Sequence, residues 1–186
     1  MEFPINDQLW SIVPNLNRLK SLIVSSYADT FQSQLQTLLD RTPNLHTLTI
    51  HQDASLSLQM SLFTCTNTSV RRLNLHSSRH CFNKEECITL SYSSLGIQCE
   101  VLSSKINNRE SIINLVKNLI HLQILYVYWN DQNNVEQFQL TKNNGKYWCK
   151  KKQILDELVQ WLKDQLPSAC LVINDSYCNY HISIWV

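Results

Sequence analysis

Glycine is almost missing: the chain of 186 residues holds two, Gly96 and Gly145. Phosphate-cradling loops and the dinucleotide-binding fingerprint are built from clustered glycines, so neither fits this chain. Long hydrophobic runs are missing too. No apolar stretch approaches the ~18 residues that cross a bilayer, and the acidic start, Met1 to Asp7, lacks the basic-then-apolar pattern of a secretory leader. No membrane partner is therefore expected, and a cytoplasmic or nuclear location is. Charge of one sign is absent, because Lys plus Arg number 16 and Asp plus Glu 15. No global field draws the chain to nucleic acid or an anionic surface. The seven cysteines are an odd set without a CxxC pair, which suits neither a disulfide framework nor a zinc ribbon, so reduced thiols are expected. No nucleophile elbow or HExxH pattern relates the scattered serines, histidines and carboxylates. No catalytic residue and no cofactor are expected, and the chain reads as a non-enzyme.

What is present can fold. The 44% hydrophobic and 17% charged composition supplies a core, and the length fits one domain over residues 1–186. A leucine-type strand pattern, Leu-x-x-Leu-x-Leu in ideal form, returns along the chain. It appears at Leu19, Leu22, Val24, then at Leu45, Leu48, Ile50, and at Val70, Leu73, Leu75. Looser copies follow at Cys99, Leu102, Ser104, at Leu122, Leu125, Val127, and at Ser168, Leu171, Ile173. The starts are 26, 25, 29, 23 and 46 residues apart, and four of these steps lie near the ~20 to 29 residue period of leucine-rich repeats.

Between the strand patterns the apolar spacing becomes helical. Phe31, Leu35, Leu38 and Leu39 form one stripe, Leu56, Met60 and Phe63 another, and Ile112, Val116, Leu119 and Ile120 a third. Asp29 with Gln32, and Asn83 with Glu86, have the spacing of capping boxes. Pro14, Pro43 and Pro167 stop helices ahead of strands. The asparagine-type turn position holds Tyr27, Asp53, Ser78, Asn107, Asn130 and Ser176. The expected architecture is an α/β leucine-rich-repeat solenoid of about six strand–helix units, with a parallel sheet on the concave face and helices on the convex face. A first helix with Leu9, Trp10, Ile12 and Val13 is expected to cover one end, and a closing strand of Ile182, Ile184 and Val186 the other. The last helix is placed near Gln153 to Leu166.

Two local clusters have competing readings. His76, His80, Cys81 and Cys87 are all zinc-ligating types, but their spacing matches no standard site, and buried thiols beside loop histidines explain them as well. The 46-residue step contains a polar and basic insertion at about 130–152. From Lys142 to Lys152 it interleaves Lys146, Lys150 and Lys151 with Tyr147 and Trp148, a composition suited either to gripping nucleic acid or to a solvated loop.

Residues that alternate with the core positions of a strand point away from the core. The outward set is Thr47, Thr49, His51, Arg72, Asn74, His76, Val101, Ser103, Lys105, Ile124, Tyr126 and Tyr128. Exposed Tyr and Arg anchor interfaces, so a partner-binding face formed by His51, Arg72, Asn74, His76, Tyr126 and Tyr128 is expected.

The stretches QLQTLLDRTPNLHTLTI (34–50), GIQCEVL (96–102), LVKNLIHLQILYV (115–127) and DELVQWLKDQLPS (156–168) resemble the leucine-rich carboxy-terminal halves of F-box-type proteins of expanded invertebrate families. That resemblance implies a scaffold that captures a target protein, with ubiquitin-ligase components recruited through an amino-terminal F-box. The opening residues show no F-box-like helix start, so the chain is expected to be a fragment, a truncated gene product or a repeat-only relative.

Overall fold

The computed structural model describes residues 16–25, 32–51, 60–76, 80–129, 144–175 and 181–186. The expected first helix with Leu9 to Val13, together with Pro14, Tyr27, Asp29 and Phe31, lies outside these residues. So do Asp53, Leu56, Ser78, Asn130 and Ser176. Seven strands form one sheet: β1 Ser21–Ser25, β2 Thr47–His51, β3 Arg72–Asn74, β4 Val101–Ile106, β5 Ile124–Trp129, β6 Leu171–Asp175 and β7 His181–Trp185. The α-helices are α1 Gln32–Asp40, α2 Lys84–Tyr92, α3 Ser94–Ile97, α4 Arg109–Asn118 and α5 Asn144–Gln165. The chain is thus α/β with a mostly parallel sheet.

Strands β1 to β5 are parallel and neighbour one another in chain order. Their register puts Leu22, Leu48, Leu73, Leu102 and Leu125 on one line across the sheet. The last four of these leucines are fully buried, in one core with Leu35, Leu39, Leu90, Ile112, Leu115 and Leu155 of the helices. Burying a leucine contributes roughly 1.5–3 kcal/mol, and a one-residue slip would turn the whole set outward, so this line sets the register.

Side-chain amides fasten successive units at the turns before the strands. The Asn67 amide donates to the carbonyls of Leu39 at 2.8 Å and Thr42 at 3.2 Å, while its oxygen accepts from the Ser69 and Val70 N–H groups. Asn44 donates to the Asn17 carbonyl at 2.9 Å, and Gln98 donates to that of Asn67. Each bond joins one unit to the turn of the preceding one.

Helix α2 opens on the expected capping box: the Asn83 side chain accepts from the Glu86 N–H, and Glu86 accepts from the Asn83 N–H at 2.9 Å. Ser93 ends α2 and begins α3. Its hydroxyl donates to the Leu90 carbonyl at 2.7 Å and accepts from the Gly96 N–H at 3.0 Å. The chain folds back so tightly here that a Cβ on Gly96 would stand 1.9 Å from the Leu90 carbonyl oxygen.

Several expectations need correction. The sixth strand pattern does not extend the parallel series, because β7 is inserted between β5 and β6 and is antiparallel to both. The expected closing strand is therefore internal, and β6 is the edge. Five residues connect β6 to β7, too few for a parallel crossover but ample for a hairpin. Helix α5 begins at Asn144 rather than near Gln153, so part of the basic run is helical. The stripe of Leu56, Met60 and Phe63 resolves at Met60–Thr64 as a 3-10 turn rather than an α-helix. Ile120, placed on a helical stripe, follows the end of α4 and is exposed.

Ser104 occupies the inward position of β4 opposite Val127, fully buried, and its hydroxyl has no hydrogen-bond partner. Such an orphaned hydroxyl costs about 1–3 kcal/mol. Ser104→Ala should stabilise the protein by about 1 kcal/mol, read as a rise of a few degrees in Tm; an unchanged or lower Tm would contradict the assignment. Gly96→Ala should act in the opposite sense, costing about 2 kcal/mol, because the added carbon meets backbone rather than a movable side chain. Chemical denaturation of both variants checks the two signs together.

Candidate functional site

The alternation that buries the leucines turns the other side chains of each strand away from the helices. Their register forms three rungs. The first is Ser21, Thr47, Arg72, Val101, Ile124, Trp185 and Leu171, by the pairings of each strand with its neighbour. The second runs through Thr49, Asn74, Ser103, Tyr126 and Ser183 to Ile173. The third carries His51, His76 just beyond β3, Lys105, Tyr128 and His181, the last paired in backbone register with Asp175.

The six residues expected to bind a partner all lie on this face: Arg72 on the first rung, Asn74 and Tyr126 on the second, His51, His76 and Tyr128 on the third. Arg72 and His51 are exposed; the other four are half-buried. The structure brings His76 and Tyr128 into direct contact, their rings stacked at 4.3 Å between centroids although β4 lies between their strands. His76 is further held by Asn74, whose side-chain oxygen lies 2.5 Å from its Nδ1. Burial, with the neighbouring charges of Lys105, His51 and His181, keeps the His76 imidazole below the usual histidine value.

His181 was missed as a member of this face, as was Ser183. In the sequence they belong to a strand at the far end, yet the hairpin sets them directly opposite Tyr128 and Tyr126. The His181 ring packs at 5.2 Å from Tyr128 and edge-on to Tyr126 at 5.4 Å. The short β6–β7 connection was the available signal. Of the residues read as outward, Thr49 is buried; His181 and Ser183, which were not in that set, are 7% exposed. Apolar surface collects at the carboxyl edge, where Trp185 is 46%, Leu171 57% and Ile173 44% exposed.

The four zinc-type residues divide between two environments. His76 belongs to the open face. The Nε2–H of His80 donates to the Glu86 carboxylate, with its two oxygens at 2.8 and 2.9 Å, and so joins the capping box of α2. Cys87 is buried. Among the described residues no group of three His, Cys, Asp or Glu side chains could hold a metal ion.

At the opposite ends of the strands, an open depression of about 740 Å³ lies between Lys20, His46, Arg71 and Glu100. Arg71 pairs with Glu100 at 3.4 Å. Among the described residues no helix is long and apolar enough to cross a membrane. No protein-family model, no curated protein and no solved structure matches this chain.

Cys65, Cys81, Cys87, Cys99 and Cys170 are thiols rather than disulfides; the side chains of Cys149 and Cys178 lie outside the described set. Burial pushes the thiol of Cys65 up to about 11 and those of Cys87 and Cys99 up to about 12. Only thiolate is nucleophilic. Burial raises the Cys170 thiol as well, but Cys81 and Cys170 are only half-buried, so iodoacetamide at about neutral pH should alkylate them before these three, as peptide mass mapping would show. The same shifts fix a sign for stability. Thiols that stay protonated in the fold but ionise in the unfolded chain at ~8.5 make stability fall as pH rises above that value. Uniform alkylation of all five would overturn this account.

Proposed function

We propose that this protein is a protein-interaction module of the leucine-rich-repeat type, which captures a partner protein on the sheet face opposite its helices. The observation that carries this reading is the in-register sheet. Five parallel strands in chain order, with leucines on one side, present Arg72, Asn74, His76, Tyr126, Tyr128 and His51 together on the other. A repeat scaffold offers such an extended face because each unit contributes one strand to it. Aromatic and arginine side chains there supply the large, conformationally cheap contacts that dominate interfaces. The resemblance of the leucine-rich segments to the repeat halves of F-box-type proteins makes the proposed role that of the substrate-capturing part of a ubiquitin-ligase adaptor. Fold alone does not establish a function, so the proposal rests on the face itself.

Tyr126→Ala combined with Tyr128→Ala should reduce retention of the wild-type protein's captured partners at least about tenfold, while Tm moves little, since both rings are half-buried on the open face. Affinity capture with quantitative mass spectrometry, paired with a thermal melt, measures both. Unchanged capture would reject the face as the site, and a parallel collapse of Tm would assign the two tyrosines to the core.

A further inference from the structure

We infer that the partner segment docked on this face is acidic at one end and apolar at the other, and that its binding is strengthened by protonation of His76. The inference rests on the face being a capture surface and adds the chemistry of what it takes.

The third rung carries three imidazoles, His51, His76 and His181, with the Lys105 ammonium among them; Arg72 lies on the same face, two rungs away. In β2, β3, β4, β5 and β7 the outward strand positions carry no carboxylate; on the edge strand β6, Asp175 pairs with His181 in backbone register. The first rung is different in kind: next to Arg72, the apolar Val101, Ile124, Trp185 and Leu171 stand side by side, with Ile173 one rung on. Four strand residues separate the two rungs, or ~13 Å at ~3.3 Å per residue. Between them Asn74, Ser103, Tyr126 and Ser183 form a polar middle. An extended peptide with carboxylates at one end and bulky apolar side chains about four residues away matches this pattern in charge, polarity and span. Nucleic acid fits less well, because the aliphatic rung would face a sugar–phosphate chain.

Protonation is linked to such docking. His76 faces Lys105 from β4, His51 from β2, His181 from β7 and the Tyr128 ring from β5. Unoccupied, these neighbours and partial burial resist a positive charge on its ring. A carboxylate laid on the rung cancels that repulsion, so the imidazole takes up a proton more readily when the peptide is bound. A group whose proton affinity rises on binding makes binding tighter below its bound-state pKa and weaker as pH rises through it.

The probe is a labelled peptide with a leucine-rich half and a glutamate-rich half, compared by fluorescence anisotropy with a twin carrying lysines in place of the glutamates. The wild-type protein should bind the glutamate peptide and not the lysine twin, with affinity falling about tenfold between about pH 5.5 and pH 7.5. His76→Gln should flatten that dependence, and Lys105→Gln should weaken binding at both pH values. Thermal melts of each variant confirm folding, and His76→Asn serves if His76→Gln unfolds. Equal binding of the twins, an affinity that ignores pH, or preference for a single-stranded oligonucleotide would overturn the inference. In any of those outcomes, a loss of binding in the Tyr126, Tyr128 variant would leave the capture face standing, whereas its indifference would remove that as well.

Discussion

One line of leucines, running sideways through the sheet, holds the rest of the architecture in place. Leu22, Leu48, Leu73, Leu102 and Leu125 meet in register, and the hairpin continues the line with Ile184 and Val172. The side-chain period of a strand is two, so this line decides every other side chain's face. Helices α1, α2, α4 and α5 bury their apolar residues in the same core. The amide bonds from Asn44, Asn67 and Gln98 act on the turns, where backbone groups would otherwise need water. Burial supplies most of the energy, and the amides set how one unit sits on the next.

The open face follows from that line without any separate design of loops. Whatever alternates with the leucines is displayed at a fixed spacing, and rings on different strands can therefore meet. His76, Tyr128, His181 and Tyr126 make such a chain of ring contacts across β3, β5 and β7. Ring contacts of this kind fix side-chain rotamers before anything binds, which lowers the entropy lost on association. Imidazoles and Lys105 gather on one rung, while Arg72 and a run of apolar side chains share another, so the face is uneven along its strands.

The strands β1 to β5 and the outward positions were legible in the sequence because leucine repetition reports burial directly, residue by residue. Asn83 with Glu86 was legible for a similar reason: a capping box is local, and three residues contain all of its chemistry. What escaped was non-local. Nothing within HISIW states which neighbour the strand will choose, and its insertion beside β5 is decided by pairing and by the short link to β6. Ser104 fitted the repeat by position although its hydroxyl contradicts the environment, since pattern ignores the cost of an unpaired polar group. The 3-10 turn at Met60–Thr64 shows the other limit, for three apolar residues at helical spacing do not specify how tightly a single turn winds.

The hairpin inserts the later-made strand inside the sheet and leaves the earlier one at its rim. Synthesis runs from the amino end, so β6 emerges from the ribosome with no neighbour to pair with until β7 has followed it. For that interval the outer edge of β5 stays open, and its sequence ILYVYW is the kind of unpaired apolar edge that other chains adhere to. An array of parallel units could add its strands one at a time as they appear; here the outer edge of β5 is covered only when β7 pairs with it. Chains that stop short of β7 would carry that edge exposed.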